Sequence, residues 1–466
     1  MKRIVIVGGG PAGYEAALVA AQYGADVTVV ERESAGGGCV LHDCVPSKTF
    51  IASAAGRTAA RHAHELGIDI AGPVRVDLPA VHRRIADLAL AQSSDIAERL
   101  FAAGVKLLKG EAVLADSAPG LAAHSVAVAT TAGGSVELSA DVVLLATGAS
   151  PRVLPDAVPD GERILTWRQV YRLTELPEHL IVVGSGVTGA EFASAYTEMG
   201  VKVSLVSSRD RVLPSEDADA AAIIEQVFSA RGSSLVRGRA QAVTRDGDEV
   251  VVTLSDGRQV RGSHCLMTVG AVPNTADIGL EKVGIATGPG GFIEVDRVSR
   301  TSVSGIYAAG DCTGVLMLAS VAAMQGRIAM WHALGSGVPS LRLKTVAANV
   351  FTHPEIATVG ISEAEVRDGK VEGSVLMLPL HTNARAKMMS LDKGFIKLVV
   401  RPSTGIVVGG VVCAPQASEL ILPIALAVQN TMTAKDLAYT LSVYPSLSGS
   451  ITEVGRQLMH FDGDLG

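Results

Sequence analysis

One pattern occurs twice in this chain of 466 residues. A short apolar run leads into three spaced glycines, and the last glycine opens an alanine-containing stretch. The first copy is Arg3-Ile4-Val5-Ile6-Val7 followed by Gly8-Gly9-Gly10-Pro11-Ala12-Gly13. The second is Leu180-Ile181-Val182-Val183 followed by Gly184-Ser185-Gly186-Val187-Thr188-Gly189. Runs of Val and Ile predict strands buried on both faces, as in a parallel sheet. Each glycine set predicts a tight turn into a helix whose first backbone amides meet a pyrophosphate. The first helix is expected to end near Gly24, and further strands follow at Asp26 to Val30 and Lys202 to Val206. Glu31 stands eighteen residues after Gly13, where an acid accepts ribose hydroxyls. Two such copies imply two dinucleotides and an α/β chain with two Rossmann-like domains.

Between them lies a reactive stretch, Gly36-Gly37-Gly38-Cys39-Val40-Leu41-His42-Asp43-Cys44-Val45-Pro46-Ser47-Lys48. If a helix begins near Cys44, Cys44 and Lys48 share one face. A thiol beside an ammonium at a helix N-terminus has a lowered pKa and is easily oxidised. That describes a redox dithiol. A zinc site would need two more thiolate or imidazole ligands at short spacing, and Cys265, Cys312 and Cys413 are single and far apart. No metal is expected.

A glycine pair, Cys, four residues, Cys, an apolar residue and Pro-Ser-Lys resembles the signature of the pyridine nucleotide–disulfide oxidoreductases, in particular those like dihydrolipoamide dehydrogenase. The resemblance runs over almost the whole chain. It implies an FAD-dependent homodimer that accepts hydride from NADH or NADPH. It further implies an FAD domain from 1–152 and 271–344, an NAD(P) domain from 153–270, and a C-terminal α+β dimerisation domain from 345–466. Carried over residue by residue, Cys44 faces the flavin and Cys39 is the interchange thiol. Lys48 pairs with Glu191 beside flavin N5. FAD contacts are implied for Gly8, Gly10, Pro11, Ala12, Gly13, Glu31, Gly38 and Lys48. Ala112, Thr147-Gly148 of the Ala-Thr-Gly turn, and Gly310-Asp311 add to them. The helix from Ala319 brings its N-terminal amides to the ring, favourable for negative charge. Gly184, Gly186, Val187, Thr188, Gly189 and Gly270 are expected around the nicotinamide cofactor. Ser207, Ser208 and Arg209 stand where the first copy has Glu31. No acid is there to repel a 2′-phosphate, and Arg209 can pair with one.

The remaining chain reads more coarsely. Residues 54–107 are expected to be mostly helical, with a short strand at Val105 to Leu108 before Gly110-Glu111-Ala112. Asp116 to Leu138 reads as small antiparallel strands, and Asp141 to Ala146 as a buried strand. Phe351 to Gly360 reads as the first strand of the last domain. Further strands are expected at Gly394 to Val400 and Ile406 to Val412, and helices from Glu419 and Ala434. Cys312 and His353 are expected to be structural.

The resemblance breaks at one place. The family ends with His-Pro, three residues and Glu; the histidine comes from the partner subunit and the glutamate orients it. This chain has Val443-Tyr444-Pro445-Ser446-Leu447-Ser448-Gly449. Tyr444 occupies the histidine position and Gly449 the glutamate position. Imidazole titrates near pH ~6.5 and phenol near ~10, so only imidazole exchanges protons freely at neutral pH. General acid–base catalysis of this kind is worth roughly 10²–10⁴-fold in rate. Hydride transfer from a nicotinamide needs no such dyad, and a small planar oxidant such as a quinone takes electrons without it. The tail Phe461-Asp462-Gly463-Asp464-Leu465-Gly466 has no cysteine pair, unlike mercuric reductase and the related thioredoxin reductases. A quinone reductase is therefore expected. The alternatives are a dithiol reductase with an unusual substrate, Tyr444 or water carrying the proton, and an FAD-binding sensor of negligible turnover.

Composition supports a globular enzyme. Apolar residues make up 48% and charged residues 19%, ample for burying a core. The formal net charge is −7 without a basic run, which argues against nucleic acid. No stretch of 18 apolar residues is present, so no transmembrane helix is expected. The opening strand leaves no room for a signal peptide, and five cysteines do not suit a secreted disulfide framework. A cytoplasmic location is expected, where a cysteine pair can cycle. The purified protein is expected to be yellow, with FAD in a one-to-one ratio to chain after denaturation. A folded, colourless protein that takes up no FAD would end this reading.

Overall fold

A computed structural model describes residues 1–115 and 123–459. Asp116, the expected start of the antiparallel strands, and the tail Phe461–Gly466 lie outside the described residues. The chain divides into two compact units. The first comprises Met1–Phe50, Pro79–Arg152 and Val269–Leu341; the second comprises Ile51–Leu78, Val153–Thr268 and the chain from Arg342 onward.

The first unit is built on a seven-stranded sheet. Its order is Ile306–Ala308, Val142–Leu145, Arg3–Val7, Asp26–Glu31, Lys106–Ala115, His124–Thr130 and Ser135–Ala140. The first five strands pair in parallel and the last two continue antiparallel. Ile4, Ile6, Val29 and Leu144 are buried at the centre, beside Ala16, Ala17 and Ala20 of helix Pro11–Gln22. Alanine on that helix lets helix Ala319–Ala333 come close; Gly326 has no room for a side chain, its Cβ falling 2.2 Å from the Ala12 carbonyl oxygen.

The second unit holds two sheets that matter for the site. One is parallel, in the order Ser234–Arg237, Lys202–Ser207, His179–Val183, His264–Met267 and Ile164–Thr166. The other is antiparallel, in the order Ala347–Val350, Glu355–Gly360, Val407–Ala414, Phe395–Val400 and Ser374–Pro379. Helices Leu422–Gln429, Ala434–Tyr439 and Gly449–Leu458 supply Ile424, Leu437, Ile451 and Val454 to its core. The architecture is α/β with two dinucleotide-binding folds and an α+β C-terminal part.

Several expected elements have different limits. The strand expected at Val105 to Leu108 runs from Lys106 to Ala115, because Gly110, Glu111 and Ala112 pair with Thr130, Ala129 and Val128. Residues 54–107 are mostly helical, as expected, with helix Cys44–Arg61 and helix Leu78–Ala102 separated by a 3₁₀ turn at Ala63–Leu66 and an irregular stretch. Phe351 to Gly360 is no single strand. The chain turns at Thr352-His353-Pro354, so Ala347–Val350 and Glu355–Gly360 pair antiparallel. Strand Ser374–Pro379 was not expected at all.

The two glycine patterns fold alike. Gly8 and Gly184 have φ of +105° and +113°, and a Cβ there would lie 2.2 Å from the Ala146 oxygen and 2.4 Å from the Thr268 oxygen. A Cβ on Gly13 would lie 1.9 Å from the Gly8 oxygen, and on Gly189 1.8 Å from the Gly184 oxygen. A Cβ on Gly186 would meet nothing within 4 Å, and one on Gly10 only the Gly36 oxygen, at 3.9 Å. Gly189→Ala is therefore expected to lower stability by about 1–3 kcal/mol through forced overlap. Gly186→Ala should leave the thermal midpoint unchanged while weakening nicotinamide cofactor binding. Equal melting of the two variants would show that the packing does not distinguish these glycines.

Candidate active site

In the first unit, helix Pro11–Gln22 starts at Gly10 with no side-chain cap. Its first amides have no intrahelical partner, so an anion can take them. A Cβ on Gly10 would touch only the Gly36 oxygen, at 3.9 Å, so the crowding there is slight and a pyrophosphate can reach them. Gly9 donates its N–H to Glu31 Oε2 at 2.6 Å, and Glu33 donates to Oε1 at 2.8 Å. Two backbone donors thus aim the Glu31 carboxylate, which keeps lone pairs for ribose hydroxyls. Pro11 stands at the helix start and Ala12 and Gly13 are buried beneath it. Asn274 donates to the Thr147 carbonyl at 2.9 Å, setting the turn at Thr147-Gly148, where Gly148 has φ +70°. Arg152 N–H donates to the Gly270 carbonyl at 2.9 Å. Gly310 N–H donates to buried Gln325 at 2.9 Å, which fixes the start of the Asp311 turn. Burial, then the Asp43 carboxylate, push Asp311 up to about 6. Helix Ala319–Ala333 begins at an exposed Ala319 without a side-chain cap, so its first amides are available to a ligand. Ala112 is buried, paired with Val128. The residues present fit FAD: an uncapped helix start, glycine clearance and aimed carboxylates.

The dithiol sits on two successive helices. Gly37–Leu41 carries Gly38 and Cys39; Cys44–Arg61 opens on Cys44 and carries Lys48 one turn later. The short helix is possible because Gly36 and Gly37 take φ of +95° and +56°. Both cysteines are partly exposed. The lowered thiol pKa expected from position alone does not hold for Cys44 in the dithiol form. A hydrogen bond with Cys39 and burial, joined by the Asp43 charge, push its pKa up, and Lys48 opposes them without prevailing.

Two residues near the dithiol were not singled out in the sequence. His42 Nε2 lies 2.5 Å from Glu33 Oε2, a histidine–carboxylate pair on the turn that joins Cys39 to Cys44. The signal available was an ionisable pair inside the cysteine loop, but its partner lies nine positions back and only the fold brings it near. Tyr14, on the first helix, has its pKa raised mainly by burial, with Glu15 and Cys39 adding.

In the second unit, helix Val187–Glu198 starts uncapped at Gly186, with Val187 exposed and Thr188 partly exposed. Ser207 is fully buried. It shares a hydrogen bond with Ser185 at 2.7 Å and accepts from the Arg209 N–H at 3.1 Å. Ser207 thus shapes the turn, while Ser208 and Arg209 are exposed. Glu191 is buried and accepts the Phe351 N–H at 2.9 Å. His353 N–H donates to Ser194 at 3.1 Å, and burial lowers its imidazole pKa. Lys48 belongs to the first unit and Glu191 to the second. Tyr444 is 86% exposed, and Gly449 begins the last described helix.

The sequence matches the pyridine nucleotide-disulphide oxidoreductase family over residues 2–326, and that family's dimerisation domain over residues 346–454. The chain belongs to this family. Membership brings FAD and a nicotinamide cofactor. The chain is 60% identical over 465 residues to a Mycobacterium tuberculosis NAD(P)H dehydrogenase (quinone), covering 99% of this chain and 94% of that one. It is 34% identical to dihydrolipoyl dehydrogenase of Chlorobaculum tepidum, covering 97% and 95%. The crystal structure of LpdA from Mycobacterium tuberculosis superposes with a TM-score of 0.95, at 60% identity and 99% and 100% coverage. The HOCl-induced flavoprotein disulfide reductase RclA from Escherichia coli follows at 0.86 and 25% identity, covering 97% and 99%.

With Cys44 held protonated and partly buried, the reduced enzyme at pH 7 should alkylate with iodoacetamide at least about tenfold faster at Cys39 than at Cys44. Peptide mapping reads the two rates. Equal labelling would show that the Cys44 environment does not suppress its thiolate.

Proposed function

We propose that the protein is an NAD(P)H:quinone oxidoreductase. One observation carries this reading: the dyad positions hold an exposed phenol, Tyr444, and a residue without a side chain, Gly449. The named activity of the 60% identical mycobacterial relative agrees with it. FAD, when bound, supplies a ring that takes a hydride and gives up its electrons singly or in pairs. The chain's residues do the rest. Gly8 to Gly13 and Glu31 bind its pyrophosphate and ribose, Thr147-Gly148 and Asp311 orient its middle, and Lys48 and the amides after Ala319 face its ring. Gly184 to Gly189 bind the nicotinamide cofactor. With Ser208 and Arg209 exposed, and Ser207 standing where the first copy has Glu31, NADPH is used at least as well as NADH. The proposed domain limits are 1–152 and 271–344 for FAD, 153–270 for the nicotinamide cofactor and 345–466 for dimerisation.

A homodimer is proposed on the matched dimerisation domain and on the exposed apolar side chains Leu422, Leu426, Tyr439, Leu441 and Val443 within it. That much exposed apolar surface marks an interface. No described helix is long and apolar enough to cross a membrane. A cytoplasmic location is proposed because a reducing compartment suits the free thiols Cys39 and Cys44.

A second reading, disulfide reduction, is favoured by the hydrogen-bonded Cys39–Cys44 pair. Steady-state NADPH oxidation with a quinone panel, lipoamide and small disulfides separates the two. Rapid turnover is expected with quinones and very slow turnover with lipoamide. Tyr444→His with Gly449→Glu should raise lipoamide reduction at least tenfold, a cautious fraction of what acid–base catalysis supplies. The backbone there accepts a side chain, since a Cβ on Gly449 meets only two serine hydroxyls, at 3.5 and 3.6 Å. Quinone reduction should stay within a few-fold. Brisk lipoamide turnover by the unmodified enzyme would refute the proposal.

A further inference from the structure

Lys397 lies on strand Phe395–Val400 of the antiparallel sheet, between Val407–Ala414 and the edge strand Ser374–Pro379, with 1% of its side chain exposed. A buried ammonium is costly unless it is paired and its protons are all bonded. Here Nζ donates to Asp217 Oδ2 at 2.8 Å, to Asp219 Oδ2 at 2.7 Å, and to Glu363 Oε2. Three donors meet three carboxylates, so the ammonium is saturated. Burial pulls its pKa down, but these three bonds prevail and hold it above the ordinary value. The three carboxylates have ligand atoms within 4.8 Å of one another, close enough to hold a metal ion. The lysine fills that role.

The placement of two of those acids matters. Asp217 is the N-cap of helix Ala218–Ala230. Its Oδ1 accepts the N–H groups of Asp219 and Ala220 at 3.0 and 3.2 Å, while Oδ2 takes Lys397. One carboxylate thus caps the helix and anchors it to the sheet. The chain just before it, residues 208–216, is the loop that carries Ser208 and Arg209. That loop is tied at its middle as well: Leu213, at φ +48°, donates its N–H to the Ser185 carbonyl of the second glycine pattern at 2.8 Å. Arg211 closes the loop on itself, donating to the carbonyls of Pro214 at 3.0 Å and Glu216 at 2.9 Å.

We propose that Lys397 is a positioning residue for nicotinamide cofactor selection: by clamping Asp217 and Asp219 to the C-terminal sheet, it holds the 208–216 loop so that Arg209 can meet the 2′-phosphate of NADPH. The inference rests on the proposed role of Arg209 and extends it to a residue far away in sequence. Without the ammonium, three neighbouring carboxylates repel one another, the helix start is released, and the loop loses its downstream anchor.

Stopped-flow reduction of the FAD-loaded enzyme by NADPH and by NADH tests this, since it separates cofactor Kd from the limiting rate. Arg209→Ala is measured first and should raise the Kd for NADPH but not for NADH. If it does not, the Arg209 reading itself fails. Given that effect, Lys397→Met should raise the Kd for NADPH at least fivefold more than that for NADH, with the limiting rates within about twofold. Asp219→Asn and Glu363→Gln, both at partly exposed acids, should shift the same ratio in the same direction by a smaller factor. They carry the test alone if the Lys397→Met protein does not fold. In an Arg209→Ala background the extra NADPH penalty should vanish. Equal weakening of both cofactors, or an unchanged Kd ratio in all three clamp variants, would overturn the proposal, because a merely stabilising cluster does not sense a 2′-phosphate.

Discussion

The structure depends on one steric constraint, met twice. For backbone amides to touch a pyrophosphate, a strand must turn into a helix with almost no intervening chain. The turn then presses against the neighbouring strand. Gly8 against the Ala146 carbonyl and Gly184 against the Thr268 carbonyl are the points of contact. The helix must also lie against the turn it springs from, which removes the side chain at Gly13 and Gly189. Only the middle glycine of each set, Gly10 or Gly186, is left facing outward. The tight packing on either side is what exposes that backbone to a ligand.

Everything chemical in the first unit hangs from the first of these turns. Glu31 is held by the Gly9 amide, and Glu33 two residues later reaches His42 on the dithiol turn. The dithiol itself follows a pair of left-handed glycines that let a five-residue helix precede Cys44. At the family's histidine and glutamate positions this chain carries Tyr444 and Gly449. Burial and the bond to Cys39 keep Cys44 protonated, and with Tyr444 in place of an imidazole nothing at that position assists its exchange. An acceptor that needs electrons more than protons suits such a site.

Much of this was legible without coordinates. Both strand–turn–helix units, the helix at Cys44, the strand before Asp311 and the helix from Ala319 lie where local pattern places them. Each is strongly marked by periodicity or by glycines with a steric role. The failures share a cause. Lys106–Ala115 extends past its apolar run because its second half is held by pairing with His124–Thr130. Ser374–Pro379 went unread because it is an edge strand defined by its neighbour Phe395–Val400. The break at Thr352-His353-Pro354 was hidden because apolar residues continue on both sides of it.

The amino-acid order by itself determined the family, the two dinucleotide folds and the loss of the His–Glu dyad. Each of these is carried by residues close together in the chain, where spacing and residue type leave little choice. Only the tertiary structure decided which polar groups meet. It buried Ser207 and left Arg209 exposed, raised the Cys44 thiol that position alone would lower, and paired His42 with Glu33. It also brought Lys397 to carboxylates more than a hundred residues earlier in the chain. Such pairings are set by how sheets and helices stack, and burial turns them into large electrostatic effects that no local pattern records.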